Sequence, residues 1–206
     1  MNTEEQKEIS EHFERMWEAG LTPWLSHRPE PLLKEFFDLL KKDFGASKIL
    51  DIGCGNGWIS MIAAKEGHEA WGIDSSQAAI EEAKSRAKEV GLSDRTHFEV
   101  GNALDLTYKE KFFDSLVDRG LFHHVLPENR RKYLENVLRV LKEKSLIYLS
   151  VFSDKNSPGI GQLFTKKMVE KIFGDNFSVL SFREDLFPTE APAHLLHFIL
   201  QTKQPH

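Results

Sequence analysis

The stretch Lys48-Ile49-Leu50-Asp51-Ile52-Gly53-Cys54-Gly55-Asn56-Gly57-Trp58 restricts the fold more than any other part of the chain. Ile49, Leu50 and Ile52 read as a short buried strand, too apolar and too brief for a helix. Gly53, Gly55 and Gly57 then punctuate the chain, and a helical pattern follows at once in Ile59, Ile62 and Ala63. A strand that turns directly into a helix brings backbone N–H groups and the positive helix end to one point. Glycine suits that point because it admits positive φ and lets a ligand approach the backbone. The turn is therefore expected to aim its N–H groups at a ligand, although an ordinary α/β protein can carry a similar turn that binds nothing.

The neighbouring sequence narrows the choice. A second strand, Glu69-Ala70-Trp71-Gly72-Ile73, ends in Asp74, followed by Ser75. An acid at the tip of the second strand of such a unit is placed to accept hydrogen bonds from ribose hydroxyls. That position serves nicotinamide dinucleotides as well as other adenosyl ligands. The glycine spacing discriminates: Gly53-x-Gly55 leads to Trp58 and Gly55-x-Gly57 leads to Ser60. The dinucleotide fingerprint G-x-G-x-x-G/A is not cleanly met.

Asp-x-Gly-x-Gly-x-Gly over residues 51–57, with Asp74 ending the next strand, resembles the first two motifs of class I S-adenosylmethionine-dependent methyltransferases. Gly101-Asn102-Ala103-Leu104-Asp105, after a third strand, resembles their adenine-contacting segment, with an Asn102 amide where the family often carries a carboxylate. A further resemblance covers Trp17, Gly20, Thr22 and Trp24, which is similar to the cofactor-covering arm of the thiopurine S-methyltransferase group with its thiol, halide and tellurite relatives. Asp118-Arg119-Gly120 is similar to the same group's active-site arginine step. The resemblance implies an α/β Rossmann-like fold with a seven-stranded, mostly parallel sheet. Its order would be 3-2-1-4-5-7-6, with the last strand antiparallel and helices on both faces. It implies S-adenosyl-L-methionine as cofactor and S-adenosyl-L-homocysteine as product. The cofactor contacts it implies are Phe13, Trp17, Trp24, Asp51, Gly53, Cys54, Gly55, Asp74, Ser75, Asn102, Ala103, Leu104, Asp118 and Arg119.

Size and composition exclude several classes. A chain of 206 residues is one domain with a single well-buried core, expected to span 1–206 with residues 1–45 as a helical arm over the cofactor site. A hydrophobic content of 40% and a charged content of 29% are those of a soluble globular protein. No run is long enough to cross a bilayer, and Met1-Asn2-Thr3-Glu4-Glu5 does not read as a signal peptide. One cysteine forbids an internal disulfide and permits a reducing, cytoplasmic setting. Cys54 reads as a small packing residue of the turn rather than a nucleophile. A formal charge of −5 argues against a nucleic-acid partner, and Arg130-Arg131-Lys132 reads as a solvated helix face.

Along the chain, Ile9, Phe13, Met16 and Trp17 recur at helical spacing over residues 4–17, and Gly20 and Pro23 end that helix. Pro29 and Pro31 precede a second helix, with Leu32, Leu33, Phe36, Phe37, Leu39 and Leu40 on one side and Gly45 as its stop. A helix from Gln77 to Val90 and a strand from Thr96 to Val100 follow. A fourth strand, Phe112 to Val117, delivers Asp118 and Arg119 to the end of the sheet where ligands bind in open α/β folds. A helix from Pro127 to Leu141, with Leu134, Val137, Leu138 and Leu141 inward, leads to a fifth strand over Leu146–Phe152. Ser153–Gly161 reads as a substrate-side flap, Thr165–Phe173 as a helix, and Phe177–Phe187 with His194–Gln201 as an antiparallel pair joined through Pro188 and Pro192.

Methyl transfer from a sulfonium is an in-line displacement, so the protein mainly positions the nucleophile. Aromatic walls favour it, since they exclude water and suit a sulfonium cation. A thiol, selenol or halide acceptor needs little base catalysis. A hydroxyl or amine needs a base, and His123 or His124 is the candidate, with Arg119 beside them. Adjacent residues point different ways, so at most one histidine is expected to face the cavity; a histidine that caps backbone is the alternative. No metal site is expected. A small-molecule methyltransferase acting on sulfur or a related soft acceptor is the first reading, with nitrogen or oxygen as the alternative. An NAD-dependent oxidoreductase and a non-catalytic S-adenosylmethionine-binding scaffold stay open, as does methylation of a macromolecule. The oligomeric state is not legible.

Overall fold

Parallel strands covered on both faces need nearly continuous apolar sequence, and the central strands supply it. The computed structural model describes residues 4–25, 30–159, 161–187 and 192–203. Its strands are β1 (Lys48–Ile52), β2 (Glu69–Asp74), β3 (Thr96–Val100), β4 (Phe113–Arg119), β5 (Leu141–Phe152), β6 (Phe177–Phe187) and β7 (Ala193–Thr202). They form one sheet in the order β3-β2-β1-β4-β5-β7-β6, as the resemblance implies. β7 runs antiparallel to both β5 and β6, and the remaining pairs are parallel.

The helices are α1 (Glu4–Glu18), α2 (Pro31–Phe44), α3 (Trp58–Lys65), α4 (Gln77–Glu89), α5 (Arg130–Val140) and α6 (Lys166–Phe173). Side chains alternate across each strand, which splits the core in two. Ile49, Val117, Tyr148 and Ile199 meet Leu32, Leu33, Phe36 and Leu40 of α2 and Ile59 and Ala63 of α3. Leu50, Ile52, Leu116 and Leu149 meet Tyr133 and Val137 of α5 and Val169 and Phe173 of α6 on the opposite face. α4 packs Ile80, Ala83 and Ala87 against Phe98 of β3. Ser76 and Thr165 cap α4 and α6, accepting from Ala79 N–H at 3.0 Å and Met168 N–H at 3.2 Å. No helix of the described residues is long and apolar enough to cross a membrane.

Four expectations change. β4 continues through Asp118 and Arg119, which pair with Leu149 and Ser150. The helix expected from Pro127 begins as a 3₁₀ turn over Pro127–Asn129 and ends at Val140. Leu141 is already strand, paired with Phe113, and the ladder resumes at Ser115 opposite Leu146. The polar run Lys142-Glu143-Lys144, with Lys144 at φ +62°, lies at that irregularity and hides the strand from a periodicity reading. On α5 the buried face is Tyr133, Val137 and Val140, while Leu134 and Leu138 are half-buried. Pro29 and Pro188 lie outside the described residues.

Candidate active site

The glycine turn after β1 spends its N–H groups internally. Gly53 and Cys54 donate to the Ile73 carbonyl at 2.8 and 2.9 Å, Gly55 donates to Asp74 Oδ2 at 2.9 Å, and Gly57 donates to the Cys54 carbonyl at 2.9 Å. This corrects the expectation that the turn aims those groups at a ligand: they lace it to the end of β2 instead. What the turn shows the cavity is bare glycine backbone. At Gly53 (φ +71°) a Cβ would sit 2.8 Å from Leu121 Cβ, and at Gly55 (φ +51°) one would sit 3.0 Å from Trp17 Cζ2. Glycine is required at both places by backbone conformation and by close approach together.

The three acids read from the sequence occupy different environments. Asp51, 2% exposed, accepts from Ser60 N–H at 3.0 Å and Ser60 Oγ–H at 2.7 Å, bracing the start of α3. Burial pushes its carboxyl up to about 6, against the pull of the Ser60 bonds and of Arg119. Asp74 accepts from Gly55 N–H through Oδ2 and from Ser76 N–H through Oδ1 at 3.0 Å, and burial raises it too. Both line the cavity. Asp118 does not. It is fully buried, receives the Tyr133 hydroxyl at 2.6 Å and caps the Leu121 and Phe122 N–H groups at 2.9 and 3.0 Å. Alternation along β4 turns Asp118 into the core and leaves its neighbour Arg119 at the cavity.

The N-terminal arm divides in two. α1 lays its predicted apolar stripe, Ile9, Phe13, Met16 and Trp17, against the cavity, and the chain through Trp24 and Leu25 continues that wall. α2 instead belongs to the core. An unbroken row of rings runs from the glycine turn to the end of β5. Trp17 lies over Gly55 and meets Trp24 at 6.1 Å between centroids; Trp24 meets Phe13 at 5.3 Å, and Phe13 meets His124 at 4.8 Å. His124 then meets His123 at 4.3 Å, and His123 stacks on Phe152 at 3.8 Å. Gln6 fastens the arm: its amide donates to the His124 carbonyl at 3.0 Å and accepts from Leu126 N–H at 3.0 Å and Asn129 Nδ2 at 3.3 Å.

Both histidines line the cavity, which corrects the expectation of one at most. Phe122–His124 is a 3₁₀ turn, so successive side chains are not thrown to opposite sides as they would be in a strand. Burial holds His124 down at about 4 and His123 well below the ordinary imidazole range. The flap packs on them closely: a Cβ at Gly161 (φ +97°) would come within 3.0 Å of His124 Cε1 and 3.1 Å of His123 Cδ2. Asn156, Ser157 and Gly159 of the same segment line the cavity, and Ile160 lies outside the described residues.

Arg119 is held from behind. Its Nε donates to Glu30 Oε1, while Glu30 Oε2 receives the Tyr148 hydroxyl at 2.6 Å. That hydroxyl also meets His197 Nδ1 at 2.9 Å. Of the basic run on α5, Arg131 is solvated, but Arg130 lies with its guanidinium 5.0 Å from the Phe164 ring and bonds Gln162. At the far rim, Asn102 Oδ1 accepts from Leu104 N–H at 2.8 Å, with Ala103 between them. Cys54 is a buried free thiol whose ionisation burial opposes strongly.

The fold thus gathers every residue of the sequence-derived site except Asp118 around one cavity of about 690 Å³. That size lies within the range of about 300–1,000 Å³ typical of small-molecule and cofactor sites. Gln6, Glu30, Tyr148, Phe152 and His197 were not legible beforehand. Tyr148, Phe152 and His197 signal only as polarity or bulk in largely apolar strands, and Gln6 and Glu30 lie in polar stretches, so none of them identifies a partner.

Comparison with known proteins agrees with this geometry. Residues 43–184 match the family model described as a methyltransferase domain. A curated relative, the 2-heptyl-1-hydroxyquinolin-4(1H)-one methyltransferase of Mycobacteroides abscessus, is 30% identical over 140 residues, covering 68% of this chain and 60% of the relative. The norajmaline N-methyltransferase of Rauvolfia serpentina is 33% identical over 128 residues, covering 60% of this chain and 43% of the relative. The chain therefore spans less than two thirds of the length of either. The solved 1,6-didemethyltoxoflavin-N1-methyltransferase of Burkholderia thailandensis superposes with a TM-score of 0.81 at 20% identity, covering 99% of this chain and 92% of that one, a likeness of fold. With the family model spanning the sheet from before β1 into β6, the chain belongs to the methyltransferase-domain family.

Proposed function

We propose that this chain moves a methyl group from S-adenosyl-L-methionine to a nucleophilic atom of a small molecule. One observation carries the reading: the N–H groups of Gly53, Cys54, Gly55 and Gly57 are already bonded to Ile73, Asp74 and Cys54, and the cavity beside them presents two carboxylates, Asp51 and Asp74. A dinucleotide's diphosphate needs donors at that turn and would meet acids instead. An adenosyl sulfonium amino acid needs acceptors for ribose hydroxyls and an acidic field around its cations, and the residues present fit it.

The donor supplies a methyl already activated on positively charged sulfur. Asp74 is placed to accept from the ribose, with Ser75 and Cys54 beside it and Asn102, Ala103 and Leu104 along the adenine edge. Gly53 and Gly55 allow close approach. Asp51 and Arg119 offer opposite charges to an amino-acid end. Trp17, Trp24 and Phe13 give aromatic faces to the cation and keep water out. Asp118 acts at one remove, by holding the turn after β4.

The narrower affiliation with the thiopurine, thiol, halide and tellurite enzymes rests on Trp17, Gly20, Thr22, Trp24 and Arg119. A sulfur acceptor asks only for a dry cavity. A nitrogen or oxygen acceptor asks in addition for a proton acceptor, which the histidine pair offers. The experiment is calorimetry with S-adenosylmethionine, S-adenosylhomocysteine and NADH, followed by mass-spectrometric product detection over a panel of thiols, halides, tellurite, amines and phenols. Binding of the adenosyl pair alone, with a methylated product, is the expected result. No heat with either adenosyl compound would refute the reading.

A further inference from the structure

His123 and His124 stand apart from the other polar groups of the cavity. His123 is 3% exposed, and the Nδ1 atoms of both rings are buried without a hydrogen-bond partner among the described residues. A buried polar nitrogen left unmet costs the fold stability. Buried rings in proteins are ordinarily oriented by a carboxylate or a carbonyl. Here the two rings are oriented instead by apolar contact: His123 by Phe152 at 3.8 Å, His124 by the edge of Phe13 at 4.8 Å, each against the other, and both by Gly161. Their Nδ1 atoms are thus committed to nothing among the described residues while the rings are held in place at the end of the aromatic row.

The charges of the cavity point the same way. Among the described lining residues the acids are Asp51 and Asp74, and the guanidinium of Arg119 is already bonded to buried Glu30. An anionic acceptor entering here meets repulsion without a dedicated cation at the histidine end. A flat ring meets the faces and edges of Phe13, Trp24 and Phe152, for which it is shaped.

Resting on the methyltransferase reading above, we propose that the acceptor is an uncharged aromatic ring bearing an N–H or O–H group, which the His123–His124 pair holds and deprotonates. A carbon–nitrogen or carbon–oxygen bond forms as the donor's carbon–sulfur bond breaks with its electron pair left on sulfur. The acceptor's N–H or O–H bond breaks, its pair stays on the acceptor atom, and one imidazole takes the proton. Positive charge leaves the sulfur as it appears on the imidazole, so the cavity's net charge does not change. The imidazolium then yields its proton to water as the product leaves. Neutral rings are the state this step requires at the outset, and burial keeps both rings neutral.

The test measures binding to the protein saturated with S-adenosylhomocysteine. The probes are 4-hydroxyquinoline, its O-methyl ether, a carboxylated 4-hydroxyquinoline, iodide and thiophenol. The hydroxyquinoline is expected to bind at least about tenfold more tightly than the ether, the carboxylate, iodide or the thiol, the loss expected for one hydrogen bond to a desolvated site. It should also shift the imidazole ¹⁵N resonances of His123 and His124. His123→Phe and His124→Phe should each bind S-adenosylhomocysteine as the parent protein does, lose about tenfold for the hydroxyquinoline and nothing for its ether. Equal binding of the probes, preference for an anion or the thiol, or unchanged affinity in both variants would overturn the proposal while leaving the methyltransferase reading intact. Failure to bind S-adenosylhomocysteine would instead overturn that reading, and this one with it.

Discussion

Replacing Asp74 by alanine separates its observed part in the glycine turn from the part proposed for it at the ribose. The carboxylate receives Gly55 N–H at 2.9 Å and Ser76 N–H at 3.0 Å, so its removal strands two donors at the glycine turn. An unmet donor costs about 1–3 kcal/mol, and the cavity can admit water to these two, which sets the folding penalty near the low end, about 2 kcal/mol in all. For a chain of this length that lowers Tm by about 4–8 °C. Binding is a separate quantity. Loss of a charge-assisted hydrogen bond from ribose is worth about 1.5–3 kcal/mol, or roughly tenfold to a hundredfold in Kd for S-adenosylhomocysteine. Calorimetric titration well below the variant's Tm reads the second effect, and scanning calorimetry without ligand reads the first. A variant with lowered Tm but Kd within about twofold of the parent would show that Asp74 only laces the turn. The ribose assignment would then be wrong.

Glu30→Ala removes the carboxylate that neutralises Arg119 and receives Tyr148, so urea unfolding should show a loss of about 3–5 kcal/mol, and a loss below about 1 kcal/mol would deny the network any structural weight. Gln6→Ala breaks the three bonds that fasten α1; hydrogen exchange should rise over residues 4–18 while the sheet stays protected, and unchanged exchange in α1 would mean that the aromatic contacts alone hold the arm. Asp51 has a folded-state pKa raised by burial from an ordinary 3.8 to about 6, so its contribution to stability is full at acid pH and is lost as pH rises through about 6. Asp51→Asn lacks that loss, and its stability relative to the parent should improve by up to about 3 kcal/mol between pH 4 and pH 7 while donor affinity falls. A pH-independent difference between the two proteins would refute the raised pKa.

The extent of what was legible follows from the range of the forces involved. The positions of β1, β2 and β3, the glycine turn and the place of Asp74 were readable because they are local: an apolar run, a backbone that must take positive φ, an acid at a strand tip. The order of the sheet came through resemblance and held. Asp118 was misplaced because one residue of strand phase decides between cavity and core, and the end of β4 is set by its pairing with β5 rather than by its own composition. The histidines were misjudged because adjacent side chains diverge in a strand but not in a 3₁₀ turn. The run Lys142-Glu143-Lys144 hid the start of β5 because an irregular ladder there leaves polar residues exposed inside a strand.

By itself, then, the amino-acid order determined that a glycine-rich turn joins a buried strand to a helix, that an acid follows at the next strand's tip, and that an aromatic helix precedes both. Only the tertiary structure decided where the turn's N–H groups go, which of the neighbours Asp118 and Arg119 sees the cavity, and that Gln6 meets the turn before α5 while Glu30 meets Arg119 and Tyr148. Those partners are 89 to 120 residues apart along the chain. Such pairings have no local cause, since they are made only when layers of the fold close on one another and every buried polar group must find an answer.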